Sequence, residues 1–324
     1  MRVISENQVK SFLSMRNVID VVKKLYIEST EGKIYAGNRI YMPIRGEESV
    51  GQWLVANSLS QPFFGSKFSS VFPNNVTVGL PSTISKISLY SAKTGELQSL
   101  IDANYLTAIK TGASAAVATD LMARKNASVL SIIGTGLQAY SQVLAIQEVR
   151  ELEKVYVYDV VPERINKFIS LLENEKNHNY EIIAATSGDE CAEQADIICT
   201  CTTAKLPVFS GNRLKPGTHV NAIGSFTPFM QEIDEDTVLR ATKILTEHVD
   251  GLWEAAGDIL IPFNSGKVTK DDVTGSIGDA LTKKVSARDN DKEITLYESV
   301  GSGVLDIGLS IYVYQSLDKE AKDK

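Results

Sequence analysis

A glycine-rich turn between two apolar runs is the part of this sequence whose residue types and spacing have the clearest chemistry. A mainly apolar run over residues 128–133 leads into Gly134-Thr135-Gly136-Leu137-Gln138-Ala139, and a second apolar run ends at Asp159, 20 residues after Ala139. This order of strand, Gly-x-Gly-x-x-Ala, helix, strand and terminal acid predicts a βαβ unit that binds a dinucleotide.

Each residue type in this unit has a physical reason. Gly134 permits a tight turn, and Gly136 leaves room for a pyrophosphate that a Cβ would obstruct. The small Ala139 lets the helix pack closely on the sheet, and the first N–H groups of that helix are expected to bind the phosphates. Asp159 is expected to accept hydrogen bonds from the adenosine ribose and to repel a 2′-phosphate, which favours NAD. Arg164 would instead help to hold a 2′-phosphate, so NADP stays open as the less favoured cofactor.

Strand-like and helix-like segments alternate from residue 128 to residue 247. This alternation predicts a doubly wound parallel sheet of the Rossmann type, in the α/β class. Three residues that follow later strands of the same sheet complete the predicted cofactor site: Thr202, Gly224 and Ser225.

The residues before the parallel sheet have a different pattern. Residues 5–30 predict two short helices, and five strand-like segments follow them at 40–44, 52–58, 65–71, 82–90 and 96–102. Because no long helices separate these segments, we expect an antiparallel or mixed sheet in an α+β domain of its own. A helix of small residues is predicted over 104–125, and the apolar segment 304–317 is expected to return to the first domain.

Composition excludes several classes of protein. The 324 residues carry a net charge of −7 and contain no basic block suited to nucleic acid. No apolar run approaches the roughly 20 residues that span a bilayer, and the first residues lack the apolar core of a signal peptide. Cys191, Cys199 and Cys201 are poorly placed for a disulfide, and no metal-ligand spacing occurs. We therefore expect a cytoplasmic protein without a bound metal.

At this point the sequence resembles the ornithine cyclodeaminase and mu-crystallin family over nearly its whole length. The resemblance rests on six ordered motifs: Gly65-x-Lys67 with Pro73-x-Asn75, Thr107-Ala108-Ile109-Lys110-Thr111-Gly112-Ala113, Ile133-Gly134-Thr135-Gly136-Leu137-Gln138-Ala139-Tyr140, Lys215-Pro216-Gly217-Thr218-His219-Val220-Asn221-Ala222-Ile223-Gly224, Gly257-Asp258-Ile259 and Ser299-Val300-Gly301.

The resemblance implies a Rossmann domain, a substrate-binding domain built from both chain ends, and a homodimer formed through the substrate-binding domains. It implies NAD(P)-dependent chemistry on amino acids and their imines, namely cyclodeamination of ornithine to proline, dehydrogenation of alanine, or reduction of ketimines. It also leaves open a binding protein like mu-crystallin, which holds a nucleotide with little turnover. We place the NAD-binding domain at 119–294 and the substrate-binding and dimerisation domain at 1–118 and 295–324.

Three cationic residues match substrate-contacting positions of the family. Arg39 matches a carboxylate-binding arginine, whose planar fork suits a carboxylate. Lys67 matches a substrate-contacting lysine, which either binds the carboxylate or serves as a general acid–base group whose pKa falls on burial. Lys110 stands where many relatives have arginine. The alternatives are a surface arginine at Arg39, a solvated strand lysine at Lys67 and a helix-surface lysine at Lys110.

Two positions depart from the ornithine cyclodeaminase pattern. Phe226 replaces an aspartate that receives the substrate amino group, and a phenyl ring cannot accept a proton. Asp306 matches an acidic position, but a cap on the last helix is an equal alternative. Asp258 is expected to shape a loop by the nicotinamide. His178, His219 and His248 are assigned no catalytic role.

The sequence therefore predicts an NAD-dependent imine or ketimine reductase, or equally an amino-acid dehydrogenase, acting on an imine of a small 2-oxo acid. Arg39, Lys67 and Lys110 are the predicted substrate-binding residues, and Lys67 is the predicted catalytic residue. Ornithine cyclodeaminase and a nucleotide-binding protein with little turnover are the alternatives.

Overall fold

The computed structural model describes residues 1–44, 49–175 and 178–323. The chain divides into two compact units. Unit 1 comprises Met1–Lys110 and the residues from Ser302 onward, and unit 2 comprises Thr111–Gly301.

The amino-terminal elements are mainly strands. In chain order they are β1 (Arg2–Ile4), α1 (Glu6–Phe12), α2 (Met15–Thr30), β2 (Ile34–Ala36), β3 (Ile40–Ile44), β4 (Ser49–Ser58), β5 (Phe63–Val71), β6 (Thr83–Ser91), β7 (Leu97–Asp102) and α3 (Asn104–Met122). The sequence predicted all of them except β1 and β2, because a three-residue strand is too short to show alternation.

The remaining elements alternate between strand and helix for most of their length. They are β8 (Val129–Ile133), α4 (Leu137–Ile146), β9 (Lys154–Tyr158), α5 (Pro162–Glu173), β10 (Glu181–Ala184), α6 (Gly188–Gln194), β11 (Ile197–Thr200), β12 (His219–Ala222), α7 (Glu235–Arg240), β13 (Ala241–Thr246), α8 (Val249–Ala255), α9 (Gly257–Asn264), β14 (Gly275–Ser276), α10 (Ile277–Leu281), β15 (Ile294–Glu298) and α11 (Gly303–Asp323). The sequence missed α9, since Gly257 and Pro262 both oppose a helix.

Unit 1 contains a mixed sheet of seven strands. Its order is β1-β7-β6-β5-β4-β2, with β3 also paired to β4. The β1–β7 pair is parallel and the other pairs are antiparallel. Helix α11 packs on β4 and β5, where a Cβ on Gly303 would lie 2.6 Å from the carbonyl oxygen of Val55. This close approach brings the first turn of α11 against the inner face of the sheet.

Unit 2 contains a parallel sheet of eight strands in the order β10-β9-β8-β11-β12-β15-β13-β14. Successive residues Ile132 and Ile133 of β8 belong to different buried apolar clusters, so both faces of the sheet are covered. The fold class predicted from the alternation is therefore confirmed. Strand β15, which the predicted domain boundary at 294/295 divides, lies wholly in this sheet.

Among the described residues, no helix combines the length and apolarity needed to cross a bilayer. The same residues include no group of three or more His, Cys, Asp or Glu side chains arranged to hold a metal ion.

Candidate active site

The glycine turn of unit 2 connects β8 to α4. Gly134 has φ +87°, and a Cβ there would lie 2.5 Å from the Thr202 side chain, so only glycine suits this position. A Cβ on Gly136 would instead be 3.8 Å from its nearest neighbour, the carbonyl oxygen of Cys201. Ala139 is fully buried in the apolar cluster beneath α4, while Leu137 is exposed and Gln138 half-buried. The space beside Gly136 and the start of α4 fits a pyrophosphate.

Asp159, at the end of β9, holds the glycine turn in place. Its Oδ2 accepts hydrogen bonds of 2.9 Å from the backbone N–H and the hydroxyl of Thr135, and its Oδ1 accepts one of 2.9 Å from the backbone N–H of Val161. Burial alone would raise the pKa of Asp159, but these hydrogen bonds outweigh it and lower that pKa. Arg164 is exposed one turn into α5. The ribose contact of Asp159 and the phosphate contact of Arg164 stay predictions.

Glu232 occupies the carboxyl ends of two neighbouring strands in unit 2. Its carboxylate accepts hydrogen bonds from the backbone N–H of Thr202 at 2.5 Å, the backbone N–H of Gly224 at 2.6 Å and the hydroxyl of Thr200 at 2.8 Å. Ser225 is buried, and its hydroxyl donates to the carbonyl of Met230 at 3.1 Å. Thr202, Gly224 and Ser225 thus belong to backbone segments that internal hydrogen bonds fix.

Three further acids are buried near Glu232: Glu247, Asp258 and Glu298. Asp258 accepts hydrogen bonds from the backbone N–H groups of Glu232 and Ile233 at 2.6 and 3.0 Å, so it fixes the segment before α7. Burial, and then the charge of Glu232, raises the pKa of Asp258 to about 8. Burial, and then the charges of Asp258, Glu232 and Glu247, raises the pKa of Glu298 well above its usual value.

In unit 1, Asp306 on α11 pairs with two lysines at once. Its Oδ2 lies 2.7 Å from Nζ of Lys67 on β5, and its Oδ1 lies 2.7 Å from Nζ of Lys110 on α3. Lys67 is 5% exposed, Lys110 is 1% exposed and Asp306 is fully buried. The solvated-lysine alternatives and the helix-cap alternative are therefore wrong, because all three side chains form one buried ionic cluster.

Arg39 supplies a third positive charge near this cluster. It is half-buried, and its guanidinium carbon lies 5.9 Å from the ring centre of Tyr41, whose hydroxyl accepts a 3.4 Å hydrogen bond from Gln52. Burial lowers the pKa of Lys67 to about 8, with Lys110 and Arg39 acting in the same direction and Asp306 opposing them. Together with Arg39, the cluster provides three cationic groups and one carboxylate, which suits a small anion.

Comparison with known proteins decides the family. The family model for ornithine cyclodeaminase/mu-crystallin proteins matches residues 1–321. The chain belongs to this family. The predicted family membership is confirmed, and so is the Rossmann-type fold that it implied.

Several members of the ornithine cyclodeaminase/mu-crystallin family are similar over nearly their full length. A Δ1-pyrroline-2-carboxylate reductase of Bacillus cereus is 33% identical, covering 97% of this chain and 96% of its own. An alanine dehydrogenase of Archaeoglobus fulgidus is 30% identical, covering 97% and 94%. The structure of Thermococcus litoralis Δ1-pyrroline-2-carboxylate reductase in complex with NADH and L-proline is 30% identical with a TM-score of 0.95, covering 99% and 98% of the two chains. An archaeal alanine dehydrogenase dimer with bound NAD is 28% identical with a TM-score of 0.91, covering 98% and 96%.

The three histidines make local contacts outside the acidic and cationic clusters. His219 is buried and pairs with Thr295 at 2.9 Å and Asn221 at 3.1 Å, and burial lowers its pKa to about 3. His248 caps α8 by accepting from the backbone N–H of Gly251. His178 contacts the carbonyl of Glu175. None lies in the clusters described above.

Sequence reasoning missed Glu232 and left Asp306 undecided. One signal for Asp306 was present, since it is the single acid in the otherwise uncharged run from Ser299 to Leu317. An acid in such a helix must have a partner elsewhere in the fold. For Glu232 no such signal exists, because a glutamate in the polar run Gln231-Glu232-Ile233-Asp234-Glu235 looks like an ordinary exposed residue.

Proposed function

We propose that this protein reduces Δ1-pyrroline-2-carboxylate to proline with NADH. The paired lysines of unit 1, with Arg39 nearby, are the single observation that carries the proposal, because a cyclic imine with one carboxylate needs a cationic site. The more general predictions, an NAD-dependent oxidoreductase of CH–NH or CH–NH2 groups and NAD as its cofactor, are confirmed by the relatives. The name of the Bacillus relative and the NADH and proline of the Thermococcus complex support the choice of substrate.

Residues of unit 2 are proposed to hold the cofactor. Bound NADH supplies the hydride. The turn from Gly134 to Ala139, with Thr135, Gly136, Leu137 and Gln138, binds the pyrophosphate through backbone N–H groups and the start of α4. Asp159 binds the adenosine ribose, with Arg164 beside it, and Thr202, Gly224 and Ser225 contact the remainder of the cofactor.

Residues of unit 1 are proposed to bind and protonate the substrate. Arg39 and Lys110 neutralise the carboxylate. Lys67 donates the proton that the imine nitrogen gains when the imine carbon gains the hydride, so the products are the amino acid, NAD⁺ and a neutral lysine. A lysine whose pKa is about 8 is mostly protonated at neutral pH and can still release its proton.

The residue after the Gly224-Ser225 pair supports a reductase over a cyclodeaminase. Phe226 is half-buried and presents a ring where ornithine cyclodeaminases have a carboxylate. A ring cannot bind the second amino group of ornithine, whereas it suits the apolar carbons of a pyrroline.

A homodimer is also proposed, with the outer face of the unit 1 sheet as the contact surface. Lys67 faces α11, so strand alternation places Phe64 and Phe68 on the opposite face. On that face the ring centres of Phe68 and Trp53 lie 4.7 Å apart, and those of the stacked Phe64 and Tyr90 lie 5.2 Å apart. Phe64 is 38% exposed. The dimeric archaeal alanine dehydrogenase supports this proposal. Light scattering should give twice the mass of one chain, and a monomer would contradict it.

Steady-state oxidation of NADH tests the substrate. The compounds compared are Δ1-pyrroline-2-carboxylate, Δ1-piperideine-2-carboxylate, and pyruvate with ammonia or methylamine. We expect the highest kcat/KM with Δ1-pyrroline-2-carboxylate. A higher value with pyruvate and ammonia would identify an alanine dehydrogenase, the second candidate that the Archaeoglobus relative favours. Release of ammonia and proline from ornithine would identify a cyclodeaminase, and tight NADH binding without turnover would identify a nucleotide-binding protein.

A further inference from the structure

Glu232 reaches back from the segment before α7 to the ends of two parallel strands. Its side chain is fully buried, and its three hydrogen-bond donors belong to the residues that end or follow β11 and β12. One oxygen accepts from the backbone N–H of Thr202, and the other accepts from the backbone N–H of Gly224 and the hydroxyl of Thr200. A single carboxylate therefore joins the two segments that follow these strands.

The backbone of Glu232 is itself held by Asp258, in the first turn of α9. The two hydrogen bonds to Asp258 Oδ1, from the N–H groups of Glu232 and Ile233, fix the direction in which the Glu232 side chain leaves the chain. Gly257 permits this contact, because a Cβ there would lie 2.0 Å from the carbonyl oxygen of Met230. Asp258 on α9 therefore positions Glu232, and Glu232 in turn holds the segments at the two strand ends.

The strand order shows which half of a dinucleotide these ends would contact. Numbered along the chain from β8, the strands of unit 2 follow the order 3-2-1-4-5-8-6-7, so the first five have the order of a dinucleotide-binding sheet. In such sheets the adenosine half binds beside the first three strands and the other mononucleotide beside strands four and five. Strands four and five are β11 and β12, so Glu232 lies beneath the segments on the nicotinamide side.

We propose that Glu232 is a positioning residue for the nicotinamide half of NADH, acting through the backbone of Thr202 and Gly224. The proposal rests on the cofactor-binding site described under the proposed function and extends it to a residue that touches no cofactor atom. Fixing both segments sets the distance between them, and with it the orientation of the ring that transfers the hydride.

An amide cannot replace this carboxylate. Glu232 has three donors and offers only acceptor oxygens, whereas glutamine would turn an N–H2 group towards at least one N–H or O–H donor. Burial raises the pKa of Glu232, and the hydrogen bonds from Thr202, Thr200 and Gly224 oppose that rise because they favour the charged form. Glu232→Gln should therefore displace one of the two segments.

The experiment compares two ligands on the full-length protein. Titration calorimetry would measure Kd for NADH and for ADP-ribose, which lacks the nicotinamide. Loss of one hydrogen bond to a charged group predicts that Glu232→Gln raises the Kd of NADH about tenfold and leaves that of ADP-ribose within about twofold. kcat should fall while KM for the imine stays near the wild-type value. Equal Kd values for wild type and variant would overturn the proposal.

Glu293→Gln is the matched control. Glu293 also accepts backbone N–H groups, from Asp289 at 2.6 Å and Asn290 at 3.3 Å, but it precedes β15 at the opposite end of the strands. Its replacement should leave the Kd values of both ligands unchanged. If Glu232→Gln weakens both ligands equally and also lowers Tm, its role is structural and the proposal is wrong.

A second variant covers the case in which Glu232→Gln fails to fold. Thr200→Val removes one donor and keeps the shape and charge, so it should raise the Kd of NADH by a smaller factor and again spare ADP-ribose. No effect on NADH would contradict the proposal. A wild type that binds NADH but reduces no imine would overturn the proposed substrate while the comparison of the two ligands still decides the role of Glu232.

Discussion

The two units bury charge in opposite ways. In unit 1, Asp306 lies between two lysines, and although burial alone would raise its pKa, the charges of Lys110 and Lys67 outweigh burial and lower it. In unit 2, Glu298 is equally buried, but its neighbours are acids, so its pKa rises far above the usual value. The same chemical group is thus shifted towards its charged form in one unit and towards its protonated form in the other.

This difference indicates what each cluster can do. A carboxylate that holds two cations fixes their positions and leaves the cluster positive, which suits binding of an anionic substrate. A group of acids with backbone and hydroxyl donors keeps loops in place, and burial beside like charges raises the pKa values of its members. The unit 1 cluster should therefore depend on its charge, and Glu298 in unit 2 should not.

Asp306→Asn should have the largest effect, because it leaves two buried lysines without a counter-charge. We expect the free energy of unfolding to fall by about 3–5 kcal/mol and reductase activity to be lost. Urea denaturation and the NADH oxidation assay would measure both. Asp318→Asn is the matched control on the same helix: its pair with Arg2 at 2.6 Å is solvent-exposed, so less than about 1 kcal/mol should be lost. Similar losses in the free energy of unfolding for the two variants would show that the buried pairs stabilise the fold no more than the exposed pair does.

Lys67→Met should mainly affect catalysis. Removal of a proton donor costs about 10²–10⁴ in rate, while Asp306 keeps Lys110 as a partner and the fold survives. We expect kcat/KM to fall by that factor with little change in Tm. Lys86→Met is the control. Lys86 lies on the neighbouring strand β6, is exposed, and pairs with Asp102 at the end of β7. Retention of full activity by Lys67→Met would exclude Lys67 as the proton donor.

The pH dependence follows from the same lysine. Lys67 has a pKa of about 8 and must be protonated to reduce an imine, so kcat/KM for reduction should fall about tenfold per pH unit above pH 8. Oxidation of proline needs the neutral amine, so its kcat/KM should rise through the same range. Lys67→Met should lack both inflections. A wild-type profile that is flat from pH 7 to pH 9 would contradict the assignment.

Glu298→Gln should have the smallest effect, because the pKa of Glu298 lies well above its usual value and glutamine is a neutral group of similar shape. We expect a change within about 1 kcal/mol at pH 7. The stability difference between variant and wild type depends on pH. The folded wild type keeps a proton on Glu298 that the unfolded state loses above pH 4.5, so wild-type stability falls as pH rises. The variant lacks this loss and should match or exceed wild type at pH 9. A loss at pH 7 as large as that of Asp306→Asn would remove the contrast between the units.

The fold and the cofactor turn could be predicted because their signals are local. Alternating apolar runs specified the parallel sheet, and the spacing from Gly134 to Asp159 lies within one βαβ unit. Hydrogen bonds from Thr135 to Asp159 were not predictable, since the spacing shows only that the acid ends a strand. The pattern identified a carboxylate near the turn without identifying its partners.

The substrate cluster was less predictable because its contacts are distant in sequence. Lys67, Lys110 and Asp306 come from a strand and two helices, and only the packing of α11 on the sheet brings them together. Lys110 appeared as an ambiguous helix residue, because its helix is rich in small residues and shows no strong polar face. Phe226 was noted from the sequence, whereas Glu232 required the three-dimensional course of the segment between β12 and α7.

The position of Asp306 on α11 has a consequence for biosynthesis. Both lysines are made about two hundred residues before their shared counter-ion, a delay of roughly 10–40 s at 5–20 residues per second. During that interval the nascent amino-terminal sheet has two cations and no acid to bury them with, so unit 1 cannot mature early on the ribosome. Emergence of α11, rather than emergence of the sheet, should therefore be the moment at which an anion can first be bound.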